Sequence, residues 1–216
     1  ERPFFALMLD SRLNNSGAIF AKNDTLELAQ TRKLKRLARE LSIKPGCRIL
    51  ELGCGWGPFA IYLAQNYDCH VTAVTLAEEQ YLYLKQQVDD LGLTDKIECL
   101  HADYRAVEGQ FDRIVSVELV DTIEPSQLSE FFRICDLWLK PQGIMVHQLL
   151  LRPEAFRSDS AVGNEWNQRY ISPGISTPSL SQLLTAMNEQ SSFCIRNLKD
   201  IGVSYSRTLD AWTKNF

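Results

Sequence analysis

The sequence has no long apolar run and no excess of basic residues. An unbroken stretch of about 18 apolar residues, which a membrane-spanning helix needs, occurs nowhere in the 216 residues. The formal net charge is −4, whereas a dedicated nucleic-acid-binding protein normally carries a basic balance. With 11 Gly, 8 Pro and 45% hydrophobic residues, the composition excludes collagen-like and disordered chains. We expect a globular chain with no nucleic-acid partner and at most peripheral membrane contact.

Disulfide and metal-site patterns are also missing. The six cysteines form no CxxC pair and mostly lie in apolar runs, where a thiol behaves as a small hydrophobic group, so we expect reduced thiols. The three histidines show no metal-ligand spacing, and no metal site is predicted. The N-terminal segment ERPFFALMLD lacks the basic-then-apolar layout of a secretory signal. The cytoplasm is therefore the expected location.

An amphipathic helix is predicted from Asp24 to Leu41, where apolar residues recur at three-to-four spacing and Asp24 or Thr25 is placed as N-cap. The segment Lys44-Pro45-Gly46 ends this helix. We interpret its basic residues mainly as a solvated face, and the alternative is a patch that binds an anionic surface or lipid headgroups. These residues are Arg32, Lys33, Lys35, Arg36 and Arg39.

Strand-like and helix-like segments then alternate along the chain. The predicted strands are 47–52, 70–76, 97–101, 111–117 and 143–151, and the predicted helices are 58–67, 77–91 and 126–139. This alternation predicts an α/β fold with a mostly parallel sheet and helices on both faces. Ligands of such sheets bind at the carboxyl ends of the strands, near the switch in strand order. Further along, the pattern predicts a helix over 180–187, a strand over 193–201 and a helix over 206–216.

Between residues 152 and 179 the periodicity disappears, and Pro, Gly and Ser accumulate. A long loop in a compact domain is often a lid over a binding site. We therefore predict a lid over 152–179.

Three glycines follow the first predicted strand at alternate positions, Gly53, Gly55 and Gly57. Glycines let the backbone turn tightly and approach a ligand, which then faces amide groups at a helix N-terminus. The pattern is neither the G-x-G-x-x-G dinucleotide fingerprint nor a P-loop with its lysine, so a pyrophosphate ligand is disfavoured. Glu51, just before the turn, can hold an ammonium group.

Polar residues also follow the next two strands. Thr75 and Gln80 come after the second strand, where a ribose would lie, and Asp103 ends the third, where its carboxylate can accept from an adenine amine. We interpret Arg105 as a structural partner of Asp103.

With these residues in place, the chain resembles the class I S-adenosylmethionine-dependent methyltransferases and, among them, the cyclopropane-fatty-acid-synthase-like family. The resemblance spans nearly the whole chain and is carried by residues 4–10, 16–20, 25–30, 51–57, 74–80, 103–105, 111–116 and 208–212. It implies one Rossmann-like domain over 1–216 with a mostly parallel twisted sheet. Residues 1–41 would form an N-terminal cap and helix, and 152–179 a lid beside the acceptor site.

The resemblance also implies the cofactor S-adenosyl-L-methionine, with S-adenosyl-L-homocysteine as its product. Each part of this cofactor has expected neighbours in the sequence. Gly53 and Gly55 would flank the methionine part, Thr75 and Gln80 approach the ribose, Asp103 and Tyr104 border the adenine, and Ser16 close over the sulfonium side. The expected cofactor-binding set is completed by Glu51, Gly57 and Leu76.

The acceptor side departs from the family pattern. Methyl addition to an alkene leaves a carbocation, and a base must then remove a proton. The resemblance to cyclopropane synthases implies a bound bicarbonate ion as this base. The family's bicarbonate-site Cys, Glu and His fall on Gly17, Asp121 and Gln148, and its Tyr falls on Tyr205. Three of the four side chains differ, which argues against bicarbonate here. His147 is one strand position from the expected histidine and therefore faces the other way, so we expect it to be packed.

Two carboxylates suggest a different chemistry. Glu118 and Asp121 are three apart just beyond the fourth strand and can face one pocket if a helical turn begins there. They could bind and deprotonate an amine, an arrangement similar to that of coclaurine-type N-methyltransferases. Tyr205 either orients the acceptor or forms a packed wall. The candidate catalytic residues are thus Asp121, Glu118, Tyr205 and Gln148.

The leading hypothesis is methyl or methylene transfer to a carbon of an unsaturated lipid-like acceptor. The alternatives are N-methylation of a small amine and a non-catalytic cofactor-binding module. Class I methyltransferases end in two antiparallel strands, and the last of these has no counterpart after residue 201, nor does a helix precede Phe4. We therefore expect the 216 residues to be an excerpt of a longer chain.

Overall fold

The computed structural model describes residues 2–155 and 177–216. The strands are β1 (Cys47–Leu52), β2 (Cys69–Thr75), β3 (Ile97–His101), β4 (Phe111–Val117) and β5 (Leu139–Gln148). The helices are α1 (Arg2–Met8), α2 (Leu26–Leu41), α3 (Pro58–Asn66), α4 (Glu78–Asp90), α5 (Leu128–Trp138), α6 (Leu180–Gln190) and α7 (Gly202–Asn215). The predicted lid over 152–179 lies outside the described residues except at its two ends.

The five strands form one sheet in the order β3-β2-β1-β4-β5, and every neighbouring pair is parallel. The chain proceeds from β1 to β3 in one direction and then returns to the other side of β1 with β4. This reversal opens a crevice at the carboxyl ends of β1 and β4, where α/β sheets bind ligands. The predicted parallel α/β architecture is therefore confirmed.

Helices cover both faces of the sheet, and successive side chains of a strand point to opposite faces. On β1, Ile49 packs into an apolar cluster with α2, α3 and α4. The next residue, Leu50, packs into a second cluster with α5 and α6. The two clusters fix the strand ends relative to the helices that follow them.

Helix α2 begins where the sequence predicts. Thr25 is its N-cap, with Oγ1 accepting from the amide of Leu28, and Ser42 ends the helix in the left-handed conformation. Asp24 instead accepts hydrogen bonds from the amide of Ala21 and from Arg32. The helix therefore has a fixed entry, which matters because its inner face contributes to the crevice.

The predicted strand over 193–201 is wrong. Residues 191–201 form neither helix nor strand, and β5 pairs only with β4 among the described residues. The start of this segment is tied to α5 instead, because the amide and hydroxyl of Ser192 both donate to Asp136. Without a partner strand, a lone extended segment gains no ladder hydrogen bonds.

All six cysteines are free thiols, and four of them are buried: Cys47, Cys54, Cys69 and Cys135. Within residues 2–155 and 177–216, no helix is long and apolar enough to cross a membrane. The same ranges contain no group of three or more His, Cys, Asp or Glu side chains placed to hold a metal ion.

Candidate functional site

A cavity of about 320 Å³ lies at the carboxyl ends of β1, β2 and β4. Its lining includes the glycine turn after β1 and residues 13–16 from the segment before α2. Eight of the ten predicted cofactor-binding residues line it: Ser16, Glu51, Gly53, Gly55, Thr75, Leu76, Gln80 and Tyr104. Gly57 and Asp103 are outside the lining.

The glycine turn has a backbone that favours glycine at all three positions. Gly53, Gly55 and Gly57 have φ angles of 70°, 55° and 81°, in the left-handed region that side chains rarely adopt. A Cβ on Gly53 would lie 3.0 Å from Leu119, whereas one on Gly55 would meet nothing within 4 Å. The backbone at Gly55 is thus exposed to the cavity.

Gly57 has a packing role instead. It is the N-cap of α3, and its amide donates to the carbonyl of Cys54 at 2.9 Å. A Cβ here would lie 2.9 Å from two carbons of Leu84 and still closer to a third, so only glycine lets α4 pack this tightly. Gly57 thus allows close packing of α4 and is not part of the cavity lining.

Asp103 is engaged by its neighbour. Its carboxylate accepts from the Arg105 amide and from Arg105 Nε at 2.9 Å each, and from Arg105 Nη2 at 2.5 Å. These hydrogen bonds hold the pKa of Asp103 below its ordinary value. The predicted pairing of Arg105 with Asp103 is confirmed, and Asp103 is not among the residues that line the cavity.

Thr75 and Gln80 meet at the end of β2. Thr75 Oγ1 donates to Gln80 Oε1 at 2.8 Å and accepts from the amide of Ala77 at 3.2 Å. The hydroxyl therefore fixes the Gln80 side chain at the cavity wall. This is the position that the sequence predicts for ribose contacts.

Glu51 is buried at the end of β1 and is only 3% exposed. Its Oε2 has no hydrogen-bond partner among the described residues, and burial raises its pKa to about 8. A buried carboxylate oxygen without a partner is costly unless a ligand supplies one. Because Glu51 lines the cavity, a cationic group there would satisfy it.

Lys33 corrects the interpretation of α2. The sequence predicts it on a solvated basic face, but it is 1% exposed and lines the cavity. Its Nζ donates to Ser16 Oγ at 2.6 Å, and burial lowers its pKa to about 8. The signal was present in the spacing, since Lys33 lies four residues from both Ala29 and Leu37 on the apolar stripe.

The candidate catalytic residues Glu118 and Gln148 meet at Gly17. Glu118 Oε1 accepts from the Gly17 amide at 2.8 Å and from Gln148 Nε2 at 3.0 Å, and Gln148 Nε2 also donates to the Gly17 carbonyl at 2.8 Å. Glu118 adopts a left-handed backbone with φ 55°, and burial raises its pKa. Glu118 lines the cavity, so its carboxylate is both anchored and next to the ligand space.

Asp121 and Tyr205 complete this cluster. Asp121 is 3% exposed in a single 3₁₀ turn, as predicted, and its Oδ1 has no partner among the described residues. Only Glu118 of the four candidate catalytic residues lines the cavity, whereas Asp121, Gln148 and Tyr205 are outside its lining. Burial, together with the charge of Glu118, raises the pKa of Asp121 to about 6. Burial and both carboxylates raise the pKa of Tyr205 on α7. Its ring packs on Gly17, where a Cβ would lie 2.9 Å from Tyr205 Cε2.

His147 is packed, as the sequence predicts. Its Nδ1 lies 2.6 Å from Ser116 Oγ, and its ring contacts Phe131 and Phe132. Burial lowers its pKa to about 4, so it is neutral at physiological pH. It is not part of the cavity wall.

The comparisons with known proteins agree on one family. A family model described as mycolic acid cyclopropane synthetase matches residues 2–216. The chain is 36% identical over 212 residues to the cyclopropane-fatty-acyl-phospholipid synthase of Escherichia coli strain K12, covering 98% of this chain and 53% of that protein. It is 29% identical over 220 residues to the tuberculostearic acid methyltransferase UfaA1 of Mycobacterium tuberculosis, covering 98% and 51%. The chain thus spans about half the length of these relatives.

Solved structures show the same fold. The cyclopropane synthase MmaA2 of Mycobacterium tuberculosis matches with a TM-score of 0.93 and 24% identity, covering 100% of this chain and 79% of that one. Coclaurine N-methyltransferase, bound to N-methylheliamine and S-adenosylhomocysteine, matches with a TM-score of 0.84 and 24% identity, covering 100% and 64%. The predicted Rossmann-like methyltransferase fold is therefore confirmed.

Proposed function

Because the chain belongs to the mycolic acid cyclopropane synthetase family, we propose that it is an S-adenosylmethionine-dependent methyltransferase acting on a carbon of an unsaturated lipid-like acceptor. The observation that carries the cofactor part is Glu51, whose buried Oε2 lacks a partner at the edge of a glycine-lined cavity. An ammonium group bound there would favour the ionised form of Glu51 and form a charge-assisted hydrogen bond with it. When bound, the cofactor supplies an electrophilic methyl group on a sulfonium.

The chain's own residues have three tasks in such a transfer. The glycine turn leaves room for the amino-acid part of the cofactor, and the Thr75–Gln80 pair binds the ribose beside it. Acceptor and donor are thereby held in line, which is the main contribution a protein makes to a displacement reaction. The third task is to handle the positive charge and the proton of the acceptor.

We assign that third task to Glu118 and Asp121. When an alkene carbon accepts a methyl group, the neighbouring carbon becomes cationic, and loss of one proton restores a neutral product. Glu118 carries the role of proton acceptor, because its carboxylate is anchored beside the cavity and its pKa is raised. Gln148 positions Glu118, and the buried charge of Asp121 stabilises the cation.

A bicarbonate ion does not fit this arrangement. Two of the positions that the resemblance assigns to such an ion are Gly17 and Gln148, and donors at both already bind Glu118 Oε1. The ring of Tyr205 fills the remaining space at Gly17. A carboxylate of the chain itself therefore takes the place of an external base, and no step is assigned to bicarbonate.

N-methylation of a small amine is the second candidate. The paired carboxylates favour it, because a buried acidic pair can bind a cationic amine and accept its proton. In the lipid reaction Glu118 and Asp121 serve the same two purposes toward a carbocation. Only the acceptor differs between the two candidates.

Incubation with methyl-deuterated S-adenosylmethionine and a mixed pool of unsaturated phospholipids and small amines tests the proposal by mass spectrometry. Label in the phospholipid supports the lipid acceptor, with three deuteriums retained for a methyl product and two for a cyclopropane. Label in an amine supports the second candidate instead. Label in neither pool, with S-adenosylhomocysteine still bound tightly, supports a non-catalytic cofactor-binding module and contradicts both. The Glu118→Gln variant is the matched control for background transfer.

A further inference from the structure

Lys33 is a buried ammonium group that the known parts of the site do not explain. It projects from the apolar face of α2 into the cavity, and its hydrogen bond goes to Ser16 Oγ. The same helix holds Ser16 from a second side, because Gln30 Nε2 donates to the Ser16 carbonyl at 2.8 Å. Ser16 and Lys33 are therefore fixed together at one edge of the cavity.

The charge of Lys33 is incompletely compensated by the protein. Three carboxylates lie near enough to Lys33 for their charges to raise its pKa: Glu118 from beyond β4, Asp10 from the segment after α1 and Glu51 from β1. None of them forms an ion pair within 4.0 Å of its Nζ in the described part of the chain. Asp10 is engaged by the amide and side chain of Asn14. Burying an ammonium group without an ion-pair partner is unfavourable, and an anionic ligand in the cavity would offset this cost.

The cavity thus has a cation at one place and an unpartnered carboxylate oxygen at another. Lys33 and Ser16 offer donors for an anion, and Glu51 offers an acceptor for a cation. All three residues line the same space, together with the glycine turn. A ligand that carries both charges on one small group satisfies both, and an α-amino acid zwitterion is such a group.

We infer that Lys33, positioned with Ser16, binds the carboxylate of the methionine part of the cofactor, while Glu51 binds its ammonium group. This inference rests on the proposed function, since it assigns a subsite of the same cavity. It makes α2 a part of the cofactor site, which the family resemblance over residues 51–57 and 74–80 does not. The carboxylate then provides the counter-charge that Lys33 lacks in the protein alone.

Calorimetric binding of two probes tests the inference: S-adenosylhomocysteine, and its decarboxylated analogue that keeps the amine. Lys33→Met removes the charge but keeps the length of the side chain. We expect it to weaken S-adenosylhomocysteine binding by about 10- to 150-fold, the range for hydrogen bonds to charged groups, and to leave the analogue within about threefold. Lys35→Met, an exposed lysine on the same helix, is the matched control and should change neither affinity. Glu51→Gln should weaken both probes, because both keep the amine.

If Lys33→Met weakens the binding of both probes equally, the residue has a purely structural role and the inference is overturned. Unchanged affinity for both probes would also overturn it. If Lys33→Met fails to fold, Ser16→Ala provides the same comparison. It removes one hydroxyl and no charge, and we expect a selective loss for S-adenosylhomocysteine of about 3- to 10-fold; without this selectivity the inference is wrong. Wild-type protein that binds neither probe contradicts the proposed function itself.

Discussion

Replacing Gly17 by alanine perturbs the acceptor side of the site only through the steric clash of the added methyl group. Gly17 is not among the residues with positive φ, so its backbone accepts a side chain. The added Cβ would lie 2.9 Å from Tyr205 Cε2, closer still to Tyr205 Cδ2, and 3.3 Å from Glu118 Oε1. The ring of Tyr205 must therefore move, because the backbone of Gly17 is held by Glu118 and Gln148.

The size of the effect follows from the added methyl group. Overpacking of this kind costs about 1–3 kcal/mol of unfolding free energy. Displacement of Tyr205 and Glu118 by about 1 Å lowers turnover by up to about 100-fold, since reacting groups depend steeply on position. Cofactor affinity stays unchanged, because Gly17 is not in the cavity lining.

Urea unfolding monitored by circular dichroism, in a double-mutant cycle with Tyr205→Ala, measures this clash. We expect Gly17→Ala to cost about 1–3 kcal/mol in the wild-type background and less than about 0.5 kcal/mol when Tyr205 is alanine. An equal cost in both backgrounds would refute the assignment of the clash to the tyrosine ring. Calorimetry with S-adenosylhomocysteine checks that the cofactor side is intact in each variant.

Four further predictions concern the carboxylates and the glycine turn. Glu118→Gln keeps the hydrogen bonds to Oε1 but removes the base, so steady-state assays should show kcat lower by about 10²- to 10⁴-fold with unchanged cofactor affinity; equal turnover would contradict its role. Asp121 has its pKa raised from 3.8 to about 6, so the rate should rise as pH increases through about 6, and a pH profile of Asp121→Asn identical to that of the wild type would contradict this. The native state binds the extra proton, so the Asp121 contribution to unfolding free energy should fall as pH rises from 3.8 to about 6, measured by urea unfolding across that range. Gly55→Ala should cost about 1 kcal/mol from its backbone conformation alone, whereas Gly57→Ala should cost about 1–3 kcal/mol more because of Leu84, and similar losses in urea unfolding would be the contrary result.

The parts of the fold that depend on local sequence were predictable. Residues close together in the sequence determine β1, the glycine turn and the start of α3. Strands β3 and β4 likewise have the predicted bounds. Apolar runs, Gly and Pro act within a few positions, so the sequence carries them directly. The position of Glu51, Thr75 and Gln80 in one cavity wall was also predictable, because parallel strands bring their carboxyl ends to one edge of the sheet.

The parts that failed depend on distant contacts. Lys33 is charged, and residues of this type are almost never fully buried, so the prediction placed it in solvent despite its position on the apolar stripe. The strand over 193–201 was predicted from its apolar pattern, but no described strand pairs with it. Pairing is a tertiary property that strand propensity does not determine.

The cluster around Gly17 is an intermediate case. Glu118 lies 101 positions from Gly17, and Gln148 lies 131 positions from it. The spacing of Glu118 and Asp121 predicted that both face one pocket, but only Glu118 lines the cavity. The spacing did not predict that the Gly17 amide and Gln148 would anchor Glu118. Only the folded chain shows that the Gly17 amide and the Gln148 side chain both donate hydrogen bonds to Glu118.

The location of bound S-adenosylhomocysteine in a crystal structure of this chain tests the central claim most directly. The predicted result is a ligand over Gly53 and Gly55, with its amino group at Glu51, its carboxylate at Lys33 and Ser16, and its sulfur toward Glu118. A crystal saturated with the compound whose cavity at the end of β1 contains only solvent would contradict it.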